Sequence, residues 1–156
     1  MSHGSLIAFW TSWTKHMSND EVIVQLREDL IRDEGLRLKP YRDSVNKTTI
    51  GVGRNLDDVG ITEKEAEYLL SNDISLAMMD LNWEFPWFKH ISDNRKRALA
   101  NMAFNLGMTR LLGFKKMLKA MAEEDFETAA DEALNSKWSA QVGNRAQRIA
   151  ELLRNG

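Results

Sequence analysis

The stretch from Glu34 to Arg54 holds two carboxylates, Glu34 and Asp43, and one hydroxyl, Thr49, around a predicted hairpin that follows a helix. A carboxylic acid can protonate a leaving oxygen while a second carboxylate activates water, and hydrolysis of a glycosidic bond requires both tasks. The chain has 23 Asp and Glu residues. Because most such pairs are solvated surface charges, the spacing alone does not establish a site.

A helix is predicted to position Glu34. Ser18 and Glu21 have the spacing of a capping box, and Gly35 suits the position just after a helix, so the helix should end at about Glu34. The helix dipole favours the neutral form of a carboxyl group in the last turn, which is the form that donates a proton. An apolar stripe with helical spacing comprises Val22, Ile23, Leu26, Leu30 and Ile31.

A hairpin is predicted to position the other two groups. Leu38–Asp43 and Thr48–Val52 have the composition of short strands, and Asn46 in the turn between them tolerates a left-handed backbone. Gly51 and Gly53 in the second strand indicate the close approach of another backbone or of a ligand. These strands would place Asp43 at a strand end and Thr49 inside the next strand.

Helices are predicted for most of the remaining chain. Arg54–Gly60 is a loop or a third short strand, and Thr62 with Glu65 forms a second capping box, with Ile61 as a hydrophobic staple. Pro86 marks a break. The predicted helices are Glu63–Leu81, a helix from Ser92 or Asp93 to about Leu106, Leu111–Glu123, Phe126–Leu134 and Asn144–Leu152.

These elements predict an α+β fold that is mainly α. We expect residues 17–156 to form a small α/β lobe with a short antiparallel sheet (about 35–61), a linking helix (about 63–81) and a larger helical lobe (about 82–156) that includes the N-terminal helix. A cleft between two lobes is a favoured place for a ligand.

Composition excludes several classes of function. The formal net charge is −2, so no global basic field recruits nucleic acid. Cysteine is absent, and the three histidines, His3, His16 and His90, are too dispersed to indicate a metal site. We therefore expect no metal, no cofactor and no nucleic-acid partner, and we expect a monomer.

Residues 1–16 differ in composition from the chain that follows. Leu6–Trp13 is apolar and aromatic, but it is far shorter than the ~20 residues that span a bilayer, and it lacks the features of a secretory signal. His16-Met17 resembles a cloning junction, which favours an appended peptide. The alternative is a natural segment in which residues 5–15 contact a membrane interface weakly through Phe9, Trp10, Trp13 and Lys15.

A family resemblance makes the site specific. EGLRLKPYRDSVNKTTIGVG resembles the E-G-x-x-x-x-x-Y-x-D stretch, followed after five residues by T-x-G-x-G, of the phage-type lysozymes, glycoside hydrolase family 24. The similarity continues in order through ITEKEAEYLLSNDI, RKRALANMAFNLG, LLGFKKML and SKWSAQVGNRAQRI. It covers most of residues 24–150 and implies a lysozyme-like fold.

The resemblance also implies roles. Glu34 matches the family's general acid, Asp43 the carboxylate that activates water, and Thr49 the hydroxyl that helps to hold this water. The family cleaves the β-1,4 bond between N-acetylmuramic acid and N-acetylglucosamine in peptidoglycan glycan strands, with inversion at the anomeric carbon. Asn105 and Leu106 match a segment that lines the sugar groove, and Arg145 matches an arginine that pairs with the acidic residue across the cleft.

The chain departs from the family pattern in the small lobe. Arg54 replaces the histidine that commonly follows Gly-x-Gly, and the loop from Arg54 to Ile61 is short. Trp138 and Phe104 could touch the substrate, but aromatic residues at such positions are more often part of the core, and we predict that Trp138 belongs to the core.

Three functional classes follow from the resemblance. The first is an active endolysin that stays in the cytoplasm of the host bacterium until its release to the cell wall. The second is an inactive peptidoglycan-binding relative, against which the intact trio argues. The third is a fusion whose N-terminal peptide helps attack intact Gram-negative cells. Deleting residues 1–16 and comparing lysis of intact and permeabilised cells separates the first class from the third.

Overall fold

A computed structural model describes residues 17–156, which fold as two compact units with a boundary between Ile61 and Thr62. The first unit contains one helix and a three-stranded sheet, and the second is helical. The predicted mainly α, lysozyme-like α+β class is confirmed. The N-terminal helix falls in the first unit, and its assignment to the helical lobe stays a prediction. The appended or membrane-seeking peptide, residues 1–16, lies outside the described residues.

Helix α1 (Asn19–Glu34) begins and ends where the sequence predicts. Ser18 Oγ accepts the N–H of Glu21 at 3.2 Å, and the N–H of Ser18 donates to Glu21 Oε2 at 2.9 Å, which completes the capping box. Gly35 has φ of 77° and its N–H donates to Ile31 O at 2.9 Å. Since glycine adopts this conformation without a steric penalty, it ends the helix directly after Glu34. The apolar side chains of the predicted stripe are exposed.

Three antiparallel strands follow, β1 (Arg37–Arg42), β2 (Thr48–Gly51) and β3 (Arg54–Asn55), in that order across the sheet. Of the two alternatives for the segment after Gly53, the short strand is therefore observed. Thr49 lies in the central strand, opposite Tyr41 on one side and Asn55 on the other. Asn46 in the first turn has φ of 63°, as predicted from its tolerance of left-handed backbone.

Within residues 17–156 no backbone approaches Gly51, and the predicted approach of a ligand stays a prediction. A Cβ atom there would meet no protein atom of this part of the chain within 4 Å, whereas φ is 69°. Gly53 also has a positive φ, 75°, and here a Cβ would lie 3.8 Å from Glu34 Oε2. The turn from β2 to β3 therefore uses glycine for its backbone conformation at both positions, and only at Gly53 does another group lie nearby.

Helix α2 (Glu63–Glu84) opens the second unit with the predicted capping box of Thr62 and Glu65. Its predicted end at Leu81 is wrong by almost one turn. The residue before a proline is disfavoured in helical conformation, and Phe85, which precedes Pro86, has an extended backbone with φ of −120° and ψ of 98°. The helix therefore continues to the last residue that this restriction permits.

The second unit continues with a 3₁₀ helix (Phe88–His90), α3 (Asp93–Leu106), α4 (Met108–Leu111), α5 (Lys115–Ala122), α6 (Phe126–Leu134), α7 (Lys137–Val142) and α8 (Asn144–Asn155). The predicted helix Leu111–Glu123 is wrong at its start, because tight turns at Gly113 and Phe114 separate α4 from α5. The short helix α7, capped by Ser136, was not predicted.

One hydrophobic core holds the second unit together. Its largest fully buried side chains are Phe88, Leu81, Leu99, Met102, Leu111, Met117, Met121 and Leu153. Arg95 of α3 joins two parts of this unit. Its guanidinium donates to the O atoms of Leu153 and Arg154 at the end of α8, at 2.9 and 3.1 Å, and lies 3.6 Å from the ring centroid of Phe126. This contact satisfies carbonyl groups that a helix end leaves without partners.

Residues 17–156 include no helix that is both long enough and apolar enough to cross a membrane. In the same residues, no group of three or more His, Cys, Asp or Glu side chains could hold a metal ion. The expectations of no metal and of a monomer stay predictions.

Candidate active site

Glu34 lies at the end of α1 and is exposed to solvent. The helix ends there because Gly35 turns the chain, so the carboxylate projects from a fixed backbone position. Its Oε2 lies close to Gly53, where an added Cβ would be 3.8 Å away. The first unit therefore brings Glu34 beside the turn between β2 and β3.

Asp43 follows β1 directly and is half-buried. Its Oδ1 accepts the backbone N–H groups of Val45 and Lys47 at 3.0 and 2.8 Å. The N–H of Asp43 also donates to Lys47 O at 3.0 Å. These bonds fix the side-chain orientation and leave Oδ2 directed to the neighbouring strand.

Thr49 is the group that Oδ2 of Asp43 faces. Its side chain is buried, with 3% of the residue exposed, and Oγ1 lies 3.5 Å from Asp43 Oδ2 and 3.3 Å from Lys47 O. A hydroxyl has one hydrogen to donate and two lone pairs to accept. Thr49 can therefore donate to Asp43 or Lys47 and still accept a hydrogen bond from a water molecule.

A second group of carboxylates supports this hairpin, and the sequence reasoning missed it. Asp57 Oδ2 accepts the N–H of Thr48 at 2.8 Å and lies 3.5 Å from Arg42 Nη1. Asp58 Oδ1 lies 2.8 Å from Lys47 Nζ. The only feature of the sequence that points to this loop is the spacing of Asn55 and Asp58, because an Asn side chain readily accepts a nearby backbone N–H. In the structure, Asp58 N lies 2.9 Å from Asn55 Oδ1.

These contacts perturb the titration of the groups involved. Hydrogen bonds from Thr48 lower the pKa of Asp57, with smaller contributions from the charges of Arg42 and Lys47. The hydrogen bond from Lys47 lowers the pKa of Asp58, and the same pair raises the pKa of Lys47. The two carboxylates are therefore held in their charged forms beside the hairpin.

Arg54 occupies the position where the family commonly has a histidine. Its Nη1 donates to Gly60 O at 3.3 Å, across the loop that follows β3. The arginine therefore closes the short loop through a backbone carbonyl group.

Asn105 and Leu106 lie in the second unit, near Trp138. Asn105 is exposed, and its Oδ1 accepts the indole N–H of Trp138 at 2.8 Å. Trp138 is buried and meets the Phe114 ring edge-on at a centroid distance of 6.1 Å, which confirms it as a core residue. Leu106, Phe114 and Trp138 line a pocket of about 610 Å³ within this unit.

Arg145 also lies in the second unit, in the first turn of α8. Its Nε donates to Asn101 Oδ1 at 2.8 Å and its Nη2 to Asn101 O at 3.2 Å. Both residues line another pocket of about 600 Å³ in this unit, whose walls include Leu70 and Phe104. The structure thus gives Arg145 an amide partner, and its pairing with an acidic residue stays a prediction.

The first unit by itself contains the side chains that acid and base chemistry requires. An exposed carboxyl group lies at a helix end, and a second carboxylate has one oxygen bound by the backbone and the other directed to a hydroxyl. A carboxylate and a hydroxyl that can both bind one water molecule suit activation of that water. A separate carboxyl group suits protonation of a leaving oxygen.

Comparison with known proteins identifies the class. The phage lysozyme family model matches residues 32–154, which include the candidate site and nearly all of the second unit. The chain therefore belongs to the phage lysozyme family. It is a lysozyme, a glycoside hydrolase whose substrate is peptidoglycan.

Several relatives match this protein over most of its sequence. It is 29% identical over 164 residues to probable T4-type lysozyme 1 of Dictyostelium discoideum, covering 86% of this chain and 96% of that protein. It is 32% identical over 128 residues to the endolysin of Acyrthosiphon pisum secondary endosymbiont phage 1, covering 79% and 84%. It is also 29% identical to the pre-baseplate central spike protein Gp5 of Enterobacteria phage T4, of which it matches 29% of the length.

Proposed function

We propose that this lysozyme hydrolyses the β-1,4 bond between N-acetylmuramic acid and N-acetylglucosamine with inversion at the anomeric carbon, and that this cleavage lyses bacteria. The observation that carries the proposal is the pair formed by Asp43 Oδ2 and Thr49 Oγ1, 3.5 Å apart, in the same unit as Glu34. Similarity to an endolysin supports the role in lysis.

Glu34 is the proposed general acid. It donates its proton to the glycosidic oxygen as the bond from that oxygen to the anomeric carbon breaks, so the leaving sugar departs as a neutral alcohol. Its place at the end of α1, where Gly35 turns the chain, gives the carboxyl group a fixed backbone position beside the turn between β2 and β3. Exposure gives the side chain access to a polymeric substrate.

Asp43 and Thr49 are the proposed water-binding pair. Asp43 Oδ2 takes a proton from the water while the water oxygen attacks the anomeric carbon from the face opposite the leaving group. Asp43 Oδ1 remains bound to the N–H groups of Val45 and Lys47, which keeps Oδ2 directed to Thr49 during the attack. Thr49 Oγ1 accepts a hydrogen bond from the other O–H of the water and so fixes the orientation of the water.

Asn105, Leu106 and Arg145 are the proposed supporting residues. Leu106 lines the 610 Å³ pocket and Arg145 the 600 Å³ pocket of the second unit, and both offer surface to sugar or peptide groups of the substrate. The side chain of Asn105 is oriented by the indole N–H of Trp138. We propose that these three residues affect binding of the glycan strand more than the chemical step.

Product analysis tests the bond that is cleaved. Purified peptidoglycan is digested with the full chain, the new ends are reduced with borodeuteride, and the fragments are analysed by mass spectrometry. Muramidase activity places deuterium on N-acetylmuramitol. Deuterium on N-acetylglucosaminitol, or release of peptide without new reducing ends, would contradict the proposed bond.

Early product analysis tests the stereochemistry. Proton NMR of a soluble fragment, recorded before mutarotation, should show the α anomer first, because water attacks opposite the leaving group of a β bond. Initial formation of the β anomer would indicate retention and would exclude the proposed role of Asp43.

A further inference from the structure

We propose that Asp57 is a positioning residue for the water-activating pair. Its carboxylate binds Arg42 and Thr48, which directly precede Asp43 and Thr49 in the chain. This inference rests on the proposed function of Asp43 and Thr49. It concerns the short loop after β3, where the chain departs from the family pattern.

Asp57 acts at the point where β1 and β2 meet. Arg42 and Thr48 are opposite each other in the antiparallel register, as the last residue of β1 and the first of β2. One oxygen, Asp57 Oδ2, lies 2.8 Å from Thr48 N and 3.5 Å from Arg42 Nη1. Arg42 Nη1 also donates to Asn46 O in the turn, at 3.1 Å. The carboxylate thus joins both strands and the turn that they enclose.

The loop holds Thr48 by both of its backbone groups. The N–H of Leu56 donates to Thr48 O at 2.7 Å, while Asp57 accepts the N–H of Thr48. Fixing both groups restricts the peptide planes on either side of Thr48, and the second of these planes leads into Thr49. The direction of the Thr49 hydroxyl therefore depends on the loop conformation.

Asp58 adds a second connection to the same turn. Its carboxylate pairs with Lys47 Nζ at 2.8 Å, and the backbone of Lys47 donates to Asp43 Oδ1 and accepts the N–H of Asp43. Asn55 donates to Asp58 Oδ2 at 2.9 Å and keeps this carboxylate in place. Asp58 reaches Lys47 through a flexible side chain, whereas Asp57 binds the backbone, so Asp57 imposes the stronger restriction.

Charge strengthens the backbone contact of Asp57. A hydrogen bond from a backbone N–H to an ionised carboxylate is shorter and stronger than a neutral one. The ion pair with Arg42 contributes less, because the side chains are 63% and 39% exposed and water screens the charges. Loss of Asp57 should thus move Thr48 and Thr49 while leaving most of the folding free energy in place.

Small displacements of reacting groups are costly in catalysis. A shift of about 1 Å in a positioned group can lower a rate by on the order of 100-fold. Asp43 Oδ2 and Thr49 Oγ1 lie 3.5 Å apart, so one water molecule can contact both groups. A movement of Thr49 would change the direction from which this water is held and would turn its oxygen away from the line of attack.

The test compares Asp57→Ala and Asp57→Asn with a matched control, Asp125→Ala, in the full chain. Asp125 caps α6 in the second unit by accepting the N–H of Thr128 at 3.1 Å, and this contact lowers its pKa as Thr48 lowers that of Asp57. Both alanine variants therefore lose a carboxylate bound to one backbone N–H. Initial rates on soluble glycan fragments give kcat and KM, and urea unfolding gives stability.

We expect Asp57→Ala to lower kcat by about tenfold or more, with KM within about twofold of wild type, because misplacement affects the chemical step. The kcat of Asp57→Asn should lie between those of wild type and Asp57→Ala, since its amide oxygen still accepts the N–H of Thr48. Asp125→Ala should keep the wild-type kcat at a comparable loss of stability. A wild-type kcat in folded Asp57→Ala, or an equal loss in Asp125→Ala, would overturn the proposal.

Two further measurements keep the outcome unambiguous. If Asp57→Ala does not fold, Asp57→Asn decides, and a wild-type kcat in that variant overturns the role of the Asp57 charge in positioning. Glu34→Gln is measured in parallel. Activity in Glu34→Gln would contradict the proposed function itself, whereas an inactive Glu34→Gln beside a normal Asp57→Ala would contradict the positioning role alone.

Discussion

Asp43 and Thr49 face each other across the first hairpin, with 3.5 Å between Asp43 Oδ2 and Thr49 Oγ1. The other oxygen of Asp43 is bound by two backbone N–H groups, so the carboxylate cannot rotate without losing both bonds. The Thr49 hydroxyl is buried in the central strand. Two groups that can bind water are therefore held together by backbone structure rather than by each other.

The first prediction concerns the Thr49 hydroxyl. Thr49→Val keeps the branched shape and removes the hydroxyl, so water loses one of its two proposed partners. We expect kcat on soluble glycan fragments to fall by about 10- to 100-fold, in the range of a positioning effect. Unfolding in urea should change little, because the hydroxyl makes only long contacts, at 3.3 and 3.5 Å.

Thr49→Ser is the matched control for this variant. Serine keeps the hydroxyl and loses a methyl group, so it should retain a larger share of kcat than valine even if it is less stable. Equal activity of the valine and serine variants would show that the hydroxyl takes no part in the reaction.

The second prediction concerns pH and the stability of the first unit. The folded-state pKa values of Asp57 and Asp58 are lowered, so they lie below the unfolded value of about 3.9 for aspartate. At pH values between the folded-state and unfolded-state pKa values, the unfolded chain therefore binds more protons than the folded chain. Their contribution to stability is present above the unfolded pKa and is lost as pH falls through the folded pKa.

Urea unfolding followed between pH 6 and pH 2 measures this effect. The double variant Asp57→Asn with Asp58→Asn should lose less stability than wild type as the pH falls below about 4. Asp125 remains in both proteins and contributes equally in the same range, because Thr128 lowers its pKa too. An identical pH dependence of the two proteins would contradict the lowered pKa values.

The third prediction concerns Arg95 in the second unit. Arg95→Met should lower the free energy of unfolding by about 2 kcal/mol, because the end of α8 loses two charged hydrogen bonds and the Phe126 ring loses a cation. Chemical denaturation measures the change. Arg97→Met on the same helix removes a contact of an exposed side chain to Asn94 and should cost much less. Equal losses of stability in the two variants would contradict the role of Arg95 in binding the end of α8.

The fourth prediction concerns the indole of Trp138. Asn105→Ala removes the acceptor of the indole N–H and should cost about 1–3 kcal/mol, because the donor belongs to a buried side chain. Denaturation followed by tryptophan fluorescence measures the loss. Asn94→Ala, which removes an exposed acceptor on the same helix, should be nearly neutral. A neutral Asn105→Ala would mean that water replaces the amide.

Local sequence signals predicted the elements that present the site. Ser18 and Glu21 define the start of α1, Gly35 its end, and Asn46 the turn of the hairpin, because each depends on contacts within a few residues. The roles of the trio came from the family resemblance, since carboxylate spacing alone does not distinguish a site from surface charge.

Features that depend on distant contacts could not be predicted in this way. The break between α4 and α5 accompanies packing of Phe114 against Trp138. The end of α2, by contrast, follows from Pro86, which is a local signal next to the helix. The contact of Asp57 with Thr48 joins the loop after β3 to the first residue of β2, and only the folded loop brings them together. Charge and spacing in the sequence carry no sign of it.

The most direct test of the central claim is the activity of Glu34→Gln. The amide keeps the size and shape of the side chain but has no acidic proton to give to the glycosidic oxygen. We predict that release of reducing ends from purified peptidoglycan falls to background, while the urea unfolding curve matches that of wild type because Glu34 is exposed. Wild-type release of reducing ends by the folded variant would contradict the assignment of Glu34 as the general acid.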